Sequence, residues 1–273
     1  MIKCNNWPIG VCVWSMGNDL DKMGQLRRET NLTHINLGLW PVIDGKDDNF
    51  LPRVKKEKWD ISATVVNFPQ EDYSTLDAIK ATGGIVMDNY WEVNKQRVFK
   101  ALDMTAELGV KYLLFHFGFF DHNDAKAAQS FKDKVRTLAD AAVKKNLGLL
   151  METGQETAAD LKMLLEELNH PALLVNLDPG NMILYNKGNP VEAVKTLAPW
   201  IRQVHAKDAL RTKAVGTWGQ EMPWGEGEVG TDAFLKALQQ VGFEGVLAIE
   251  REAGDNRYQD IKLGVDRLSQ WCA

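Results

Sequence analysis

Short apolar runs alternate along this chain with longer segments whose apolar positions recur every three or four residues. The runs are 8–14 (PIGVCVW), 33–40 (THINLGLW), 61–68 (ISATVVNF), 110–118 (VKYLLFHFG), 147–153 (LGLLMET), 172–178 (ALLVNLD), 201–207 (IRQVHAK) and 245–251 (GVLAIER). Most are apolar throughout rather than alternating, as expected of parallel strands covered on both faces. Helical period marks 92–108, 127–145, 157–168, 190–198, 231–241 and 257–271. Asp19, Thr157 and Thr231 are expected N-caps, and Gly109 and Gly242 are expected helix stops. Between Trp40 and Asp60 the chain is polar with two prolines, so a loop or a single turn is expected there.

Eight strand–helix units follow one another without a Pro/Gly/Ser linker or a shift in composition. They predict an α/β fold, a (β/α)8 TIM barrel, as one domain over residues 1–273. No glycine-rich phosphate loop follows the first run, where GVCVWSMGNDL stands, which counts against a dinucleotide-binding open sheet.

Composition narrows the function classes. Hydrophobic residues are 45% and charged residues 25%, as in ordinary globular proteins. The net charge of −5 lacks the basic footprint of a nucleic-acid binder. No apolar window is long enough for a transmembrane helix, and the start MIKCNNWPIG lacks a signal-peptide core, which points to the cytoplasm. Cys4, Cys12 and Cys272 have no metal or redox spacing and are expected to be free thiols.

Active sites of such barrels form at the carboxyl ends of the strands. The last four runs each end in a group able to ligate a metal: Glu152, Asp178, His205 and Glu250. Singly, each could be a solvated or salt-bridged residue. Together, three carboxylates in one barrel mouth would repel and need neutralising, which a divalent cation does directly. Three carboxylates and one imidazole suit Mn²⁺ best, with Mg²⁺, Co²⁺ or Zn²⁺ as alternatives.

The stretches LLMETGQETA, VNLDPGNMILYNKG, QVHAKDALR, WGEGEVG and LAIERE resemble the xylose isomerase-like TIM barrels, the sugar phosphate isomerase/epimerase superfamily with its AP-endonuclease branch. The resemblance covers nearly the whole chain and is densest from Leu149 to Glu250. It implies one metal held by Glu152, Asp178, His205 and Glu250. The family often has a His three residues after the strand-six Asp; here Asn181 stands there, which counts against the multi-zinc nuclease branch. Arg211 matches an anchor for substrate oxygens.

The remaining candidates come from position. His116 ends the fourth run on the face of Leu114 and is read as a pocket residue that hydrogen-bonds substrate, His122 less so. Lys207 shares a face with His205 and either meets a substrate hydroxyl or pairs with a carboxylate. Asp208 is expected to order its loop, and Glu156 to form a capping box with Thr153. His34 and His170 read as surface or loop residues. Trp14 and Trp40, with Trp218 and Trp224, could pack on the flat C–H face of a sugar or simply fill space. Asn67 is a weaker candidate. Segment 209–229 is long and glycine-rich, so it reads as a lid or as a contact in a homo-oligomer.

These readings converge on a metal-dependent isomerase or epimerase of a ketose or related polyhydroxy carbonyl compound, with Glu152 and Glu250 as catalytic carboxylates and no nucleic-acid or membrane partner. The alternatives are a lyase or dehydratase on keto-sugars, keto-glycosides or keto-inositols, an AP-endonuclease-like phosphodiesterase, and a non-catalytic carbohydrate binder.

Overall fold

The computed structural model describes residues 1–119, 124–214 and 216–271. All eight apolar runs form strands: β1 Trp7–Cys12, β2 His34–Gly38, β3 Asp60–Val65, β4 Tyr112–Phe115, β5 Gly148–Glu152, β6 Leu173–Leu177, β7 Ile201–Ala206 and β8 Val246–Ile249. Each pairs in parallel with the next, and β8 pairs with β1, so the sheet closes into a (β/α)8 barrel. The strand Lys3–Cys4 pairs antiparallel with β1. Among the described residues no helix is long and apolar enough to cross a membrane.

The principal outer helices are α1 Leu20–Thr30, α2 Phe50–Glu57, α3 Trp91–Glu107, α4 Ala125–Val143, α5 Ala158–Leu168, α6 Pro190–Leu197, α7 Thr231–Gln240 and α8 Arg257–Gln270. Asp19 caps α1 through the amides of Asp21 and Lys22, and Thr157 caps α5 through that of Asp160. Gly109 and Gly242 end their helices at positive φ, where a side chain would be strained.

Three local expectations are corrected. Thr231 is the first residue of α7, and the cap position is Gly230, without a side-chain bond. The 40–60 connection is not a loop or one turn: it holds a short helix at Trp40–Ile43 and the two-turn α2, which buries Phe50 and Val54. Its few apolar residues lie on one face, enough to dock a short helix but too few to stand out as periodicity. Thr153 forms no capping box with Glu156. Its hydroxyl donates to the Asp178 carbonyl and accepts from the Asp178 amide, clamping the ends of β5 and β6 together.

Two cores result. The larger lies between the strands and the helices. The smaller fills the barrel interior with Ala63, Val65, Leu114 and Leu150, flanked by Trp14, Trp40, Tyr112 and Leu174. The interior is also crossed by polar bonds. Asn36 on β2 takes hydrogen bonds from Gln203 and from His205 Nε2 on β7, and gives one to Ser62 on β3. A groove of about 420 Å³ at the amino-terminal end of the barrel is lined by His34, Trp59 and Arg202, among others, and includes none of the four candidate ligands.

Candidate metal centre

Strand periodicity sends Leu150 and Glu152 into the barrel together, and likewise Gln203 and His205. Glu250 follows β8, and Asp178 follows β6 as the N-cap of the helix Pro179–Leu184. Each of Glu152, Asp178, His205 and Glu250 brings one ligand atom to a common point, all four within 4.8 Å of one another. Asp178 and His205 are fully buried, and the side chains of Glu152 and Glu250 are 15% and 5% exposed.

Their bonds leave inward-facing atoms over. His205 Nε2 is taken by Asn36 Oδ1 at 3.0 Å, so Nδ1 faces the carboxylates. It stands 2.7 Å from Glu152, 3.4 Å from Glu250 and 3.7 Å from Asp178, without hydrogen-bond geometry to any of them. Asp178 Oδ1 accepts the Asn181 amide, while its Oδ2 is buried without a partner among the described residues. Buried polar atoms are rarely left so. An unmet carboxylate oxygen and an unmet imidazole nitrogen aimed at one point, beside two more carboxylates, fit a divalent cation.

The electrostatics fit the same account. Burial pushes the Asp178 carboxyl up to about 7, and the Glu250 and Glu152 charges add to the rise. Burial acts on Glu250 in the same direction, but Lys207 and His205 outweigh it and hold that carboxyl below the usual range. Burial disfavours the Lys207 ammonium, yet Glu250, Glu252 and Glu221 keep it charged, at 3.0, 2.8 and 3.7 Å. Gly180 makes room for Lys207: a Cβ there would stand 2.6 Å from Lys207 Cγ.

The other candidates distribute unevenly. Trp14 donates its indole N–H to Glu250 at 2.7 Å and packs against Trp40 and the His205 ring. His116 bonds Glu71 at 2.7 Å through Nδ1, with Nε2 buried. Asn181 is half-buried beside Gly154 and Tyr185, one helical turn into the helix that Asp178 caps. Arg211 is turned to Asn186 and to the Gly188 carbonyl, with Glu228 at 3.7 Å. Asn67 is exposed and docks Arg97. Trp224 is buried against Phe234, and Trp218 packs on Tyr185. His34 and His170 are half-buried, the latter beside Asp140. His122 lies outside the described residues.

The segment after β7 forms a ribbon of Asp208–Leu210 with Gln220–Met222. Asp208 orders it, as expected, by accepting the amides of Ala209, Gly225, Gly227 and Val229.

Sequence reasoning missed several residues. Asn36, which orients His205, could have been flagged as a polar residue inside THINLGLW. Cys12 lies in a second cluster with His205 and Glu250, and burial pushes its thiol up to about 12, so it is a neutral neighbour of the site. Glu71 and Glu221 sit in polar connections and carry no local signal.

Comparison with known proteins agrees with this architecture. The sequence model of the family described as xylose isomerase-like TIM barrel matches residues 73–271. The Escherichia coli (strain K12) protein YihM is 38% identical over 84 residues, 30% of this chain, and the match spans 26% of that relative. The crystal structure of a xylose isomerase domain protein from Planctomyces limnophilus superposes with a TM-score of 0.86 at 26% identity, covering 97% of this chain and 96% of that one. A xylose isomerase-like TIM-barrel protein from Mycobacterium smegmatis, solved in complex with magnesium, gives a TM-score of 0.73 at 19% identity, covering 99% and 98%. Sugar epimerases and a probable dehydratase share the fold at 12% to 17% identity. The chain therefore belongs to the xylose isomerase-like TIM-barrel family.

Proposed function

We propose that this protein is a divalent-metal-dependent enzyme that enolises a polyhydroxy ketone or aldehyde, making it a sugar isomerase or epimerase. The observation that carries the reading is the pair of buried atoms without a hydrogen-bond partner among the described residues, Asp178 Oδ2 and His205 Nδ1, facing Glu152 and Glu250. Glu152, Asp178, His205 and Glu250 would hold the ion, with Mn²⁺ the best match to the donor set and Mg²⁺, Co²⁺ or Zn²⁺ able to replace it. Such an ion supplies charge that polarises a carbonyl and acidifies the neighbouring C–H bond.

The chain's own groups do the rest. Glu152 and Glu250 come from non-adjacent strands and approach a substrate from two sides. One takes the carbon-bound proton; the same or the other returns it. Return to the neighbouring carbon gives isomerisation, and return to the opposite face of the first carbon gives epimerisation. Lys207 and the Trp14 indole N–H steady Glu250. Trp14 and Trp40, tilted 55° to one another, offer aromatic faces suited to the C–H face of a sugar. Asn181 would bond a substrate hydroxyl, and Arg211 would do so on leaving Asn186 and Gly188.

The test is incubation of the Mn²⁺-loaded protein with a ketose and keto-glycoside panel in D₂O, followed by NMR. The proposal expects metal-dependent deuterium incorporation beside the carbonyl, abolished by EDTA and by Glu152→Gln. Loss of a β-substituent would redirect the assignment to a lyase. Absence of exchange on every member, with metal bound, would overturn it.

A further inference from the structure

His116 and Glu71 form a second polar unit in the barrel mouth, with no part in holding the candidate ion. Their side chains are 6% and 5% exposed and meet at 2.7 Å. Glu71 also accepts the amides of Gly84, at 3.0 Å, and Phe68, at 3.3 Å. A carboxylate used as an acceptor on every side fixes the imidazole: Nδ1 carries the proton and donates it to Glu71. Nε2 is then the free nitrogen, and it is buried with no partner among the described residues.

The strands show where that nitrogen lies. Leu114 and Leu150 are paired across β4 and β5, and both belong to the interior cluster. The pairing runs on to Phe115 with Met151, and His116 and Glu152 are the next residues of their chain segments. With Leu114 and Leu150 facing inward, strand alternation turns His116 and Glu152 toward the same carboxyl end of the barrel. Packing holds the ring there. A Cβ at Gly83 would stand 2.5 Å from His116 Cε1, and Gly84, at φ +69°, presses against the backbone of Phe117 and Gly118. Tyr73 and Phe119 flank the ring.

We propose that His116, held by Glu71, is a catalytic residue that carries a proton between two substrate oxygens, making the reaction a ketose–aldose isomerisation rather than an epimerisation. The inference rests on the enolisation reading and deepens it. When a carbonyl migrates to the next carbon, two protons move. The carbon-bound proton shifts to the neighbouring carbon by way of Glu152 or Glu250. The hydroxyl proton leaves the oxygen that becomes the carbonyl, is taken by His116 Nε2, and is returned to the oxygen that becomes the hydroxyl. One carbon is oxidised as its neighbour is reduced, so no outside oxidant, reductant or net proton is needed. Epimerisation requires no such oxygen-to-oxygen transfer.

Two measurements test this. The first is ¹⁵N-histidine NMR of the Mg²⁺-loaded protein, in which His116 is expected as the Nδ1–H tautomer and Glu71→Gln is expected to change that state. Addition of D-sorbitol, a non-reacting polyol, is expected to shift the His116 Nε2 resonance. An Nε2–H tautomer, or an Nε2 signal blind to the polyol, overturns the proposal. The second uses D-fructose, D-tagatose and D-psicose in D₂O. His116→Gln is expected to keep metal binding, while the ratio of aldose formation to carbon exchange falls by roughly 10²–10⁴-fold. Equal loss of both processes, or undiminished aldose formation, overturns the relay. Wild-type exchange that yields only epimers overturns the relay and leaves the enolisation reading intact. No wild-type exchange overturns both.

Discussion

Asn36 Oδ1 accepts a hydrogen bond from His205 Nε2 at 3.0 Å, reaching across the barrel interior from the second strand to the seventh. The contact decides which imidazole nitrogen faces the carboxylates. It holds the proton on Nε2 and leaves Nδ1 as the ligand atom, a common arrangement around metal-binding histidines. Asn36→Ala is therefore expected to lower Mn²⁺ affinity by roughly 10- to 100-fold with the fold retained. Calorimetric titration of both proteins checks it, and unchanged affinity would remove the orienting role.

Ion binding should be legible in stability. A ligand that binds only the folded state at about 100 times its Kd adds about 2.7 kcal/mol, or roughly 5–10 °C in Tm for a chain of this size class. Mn²⁺ is expected to raise the wild-type Tm by that order and to leave Asp178→Asn unmoved. Differential scanning calorimetry with and without EDTA reads both, and an equal shift in the variant would place the ion elsewhere.

Lys207 is the buried counterweight to Glu250, Glu252 and Glu221. Lys207→Met leaves the buried Glu250 without its ammonium partner, while Glu221 keeps Arg251 and Glu252 is half-exposed, and breaking a buried pair costs about 3–5 kcal/mol. Urea denaturation should show a loss of that order in EDTA and a smaller loss with Mn²⁺ present, because the ion supplies positive charge beside Glu250. A loss that ignores the ion would mean that Lys207 stabilises the barrel independently of the site.

Glu156 gives a pH dependence. Burial pushes its carboxyl up to about 8, so in the folded state it is neutral where the unfolded chain is charged. The folded state binds the extra proton; its stabilising effect is full below the usual value of 4.5 and is lost as pH rises through 8. Glu156→Gln should match wild type near pH 4 and exceed it at pH 8.5. Because the side chain is only half-buried, the difference is on the order of 1 kcal/mol. Thermal midpoints of both proteins across that range test the sign.

The barrel was readable because its strands are buried on both sides and therefore mostly apolar. The four clustered groups were readable from position: Glu152 ends β5, Asp178 and Glu250 directly follow β6 and β8, and His205 stands one residue before the end of β7. Asn36 was harder to see, because its role lies in a bond to a residue far along the chain, and position in a strand does not reveal a cross-barrel partner. Glu71 was invisible. It lies in a polar connection where any acidic residue is unremarkable, and only folding brings it to His116. The short helix α2 escaped notice because two turns expose too few apolar positions to establish a period.

The Asn36–His205 bond has a consequence for assembly of the molecule. The clustered groups all come from the later half of the chain, from Gly148 onward, but the anchor that turns the imidazole comes from the second stave. Neither half of the molecule owns a finished pocket. Closing the ring and completing the pocket are thus one event, and an ion seated there would act as a latch that reports whether the two ends of the chain have met.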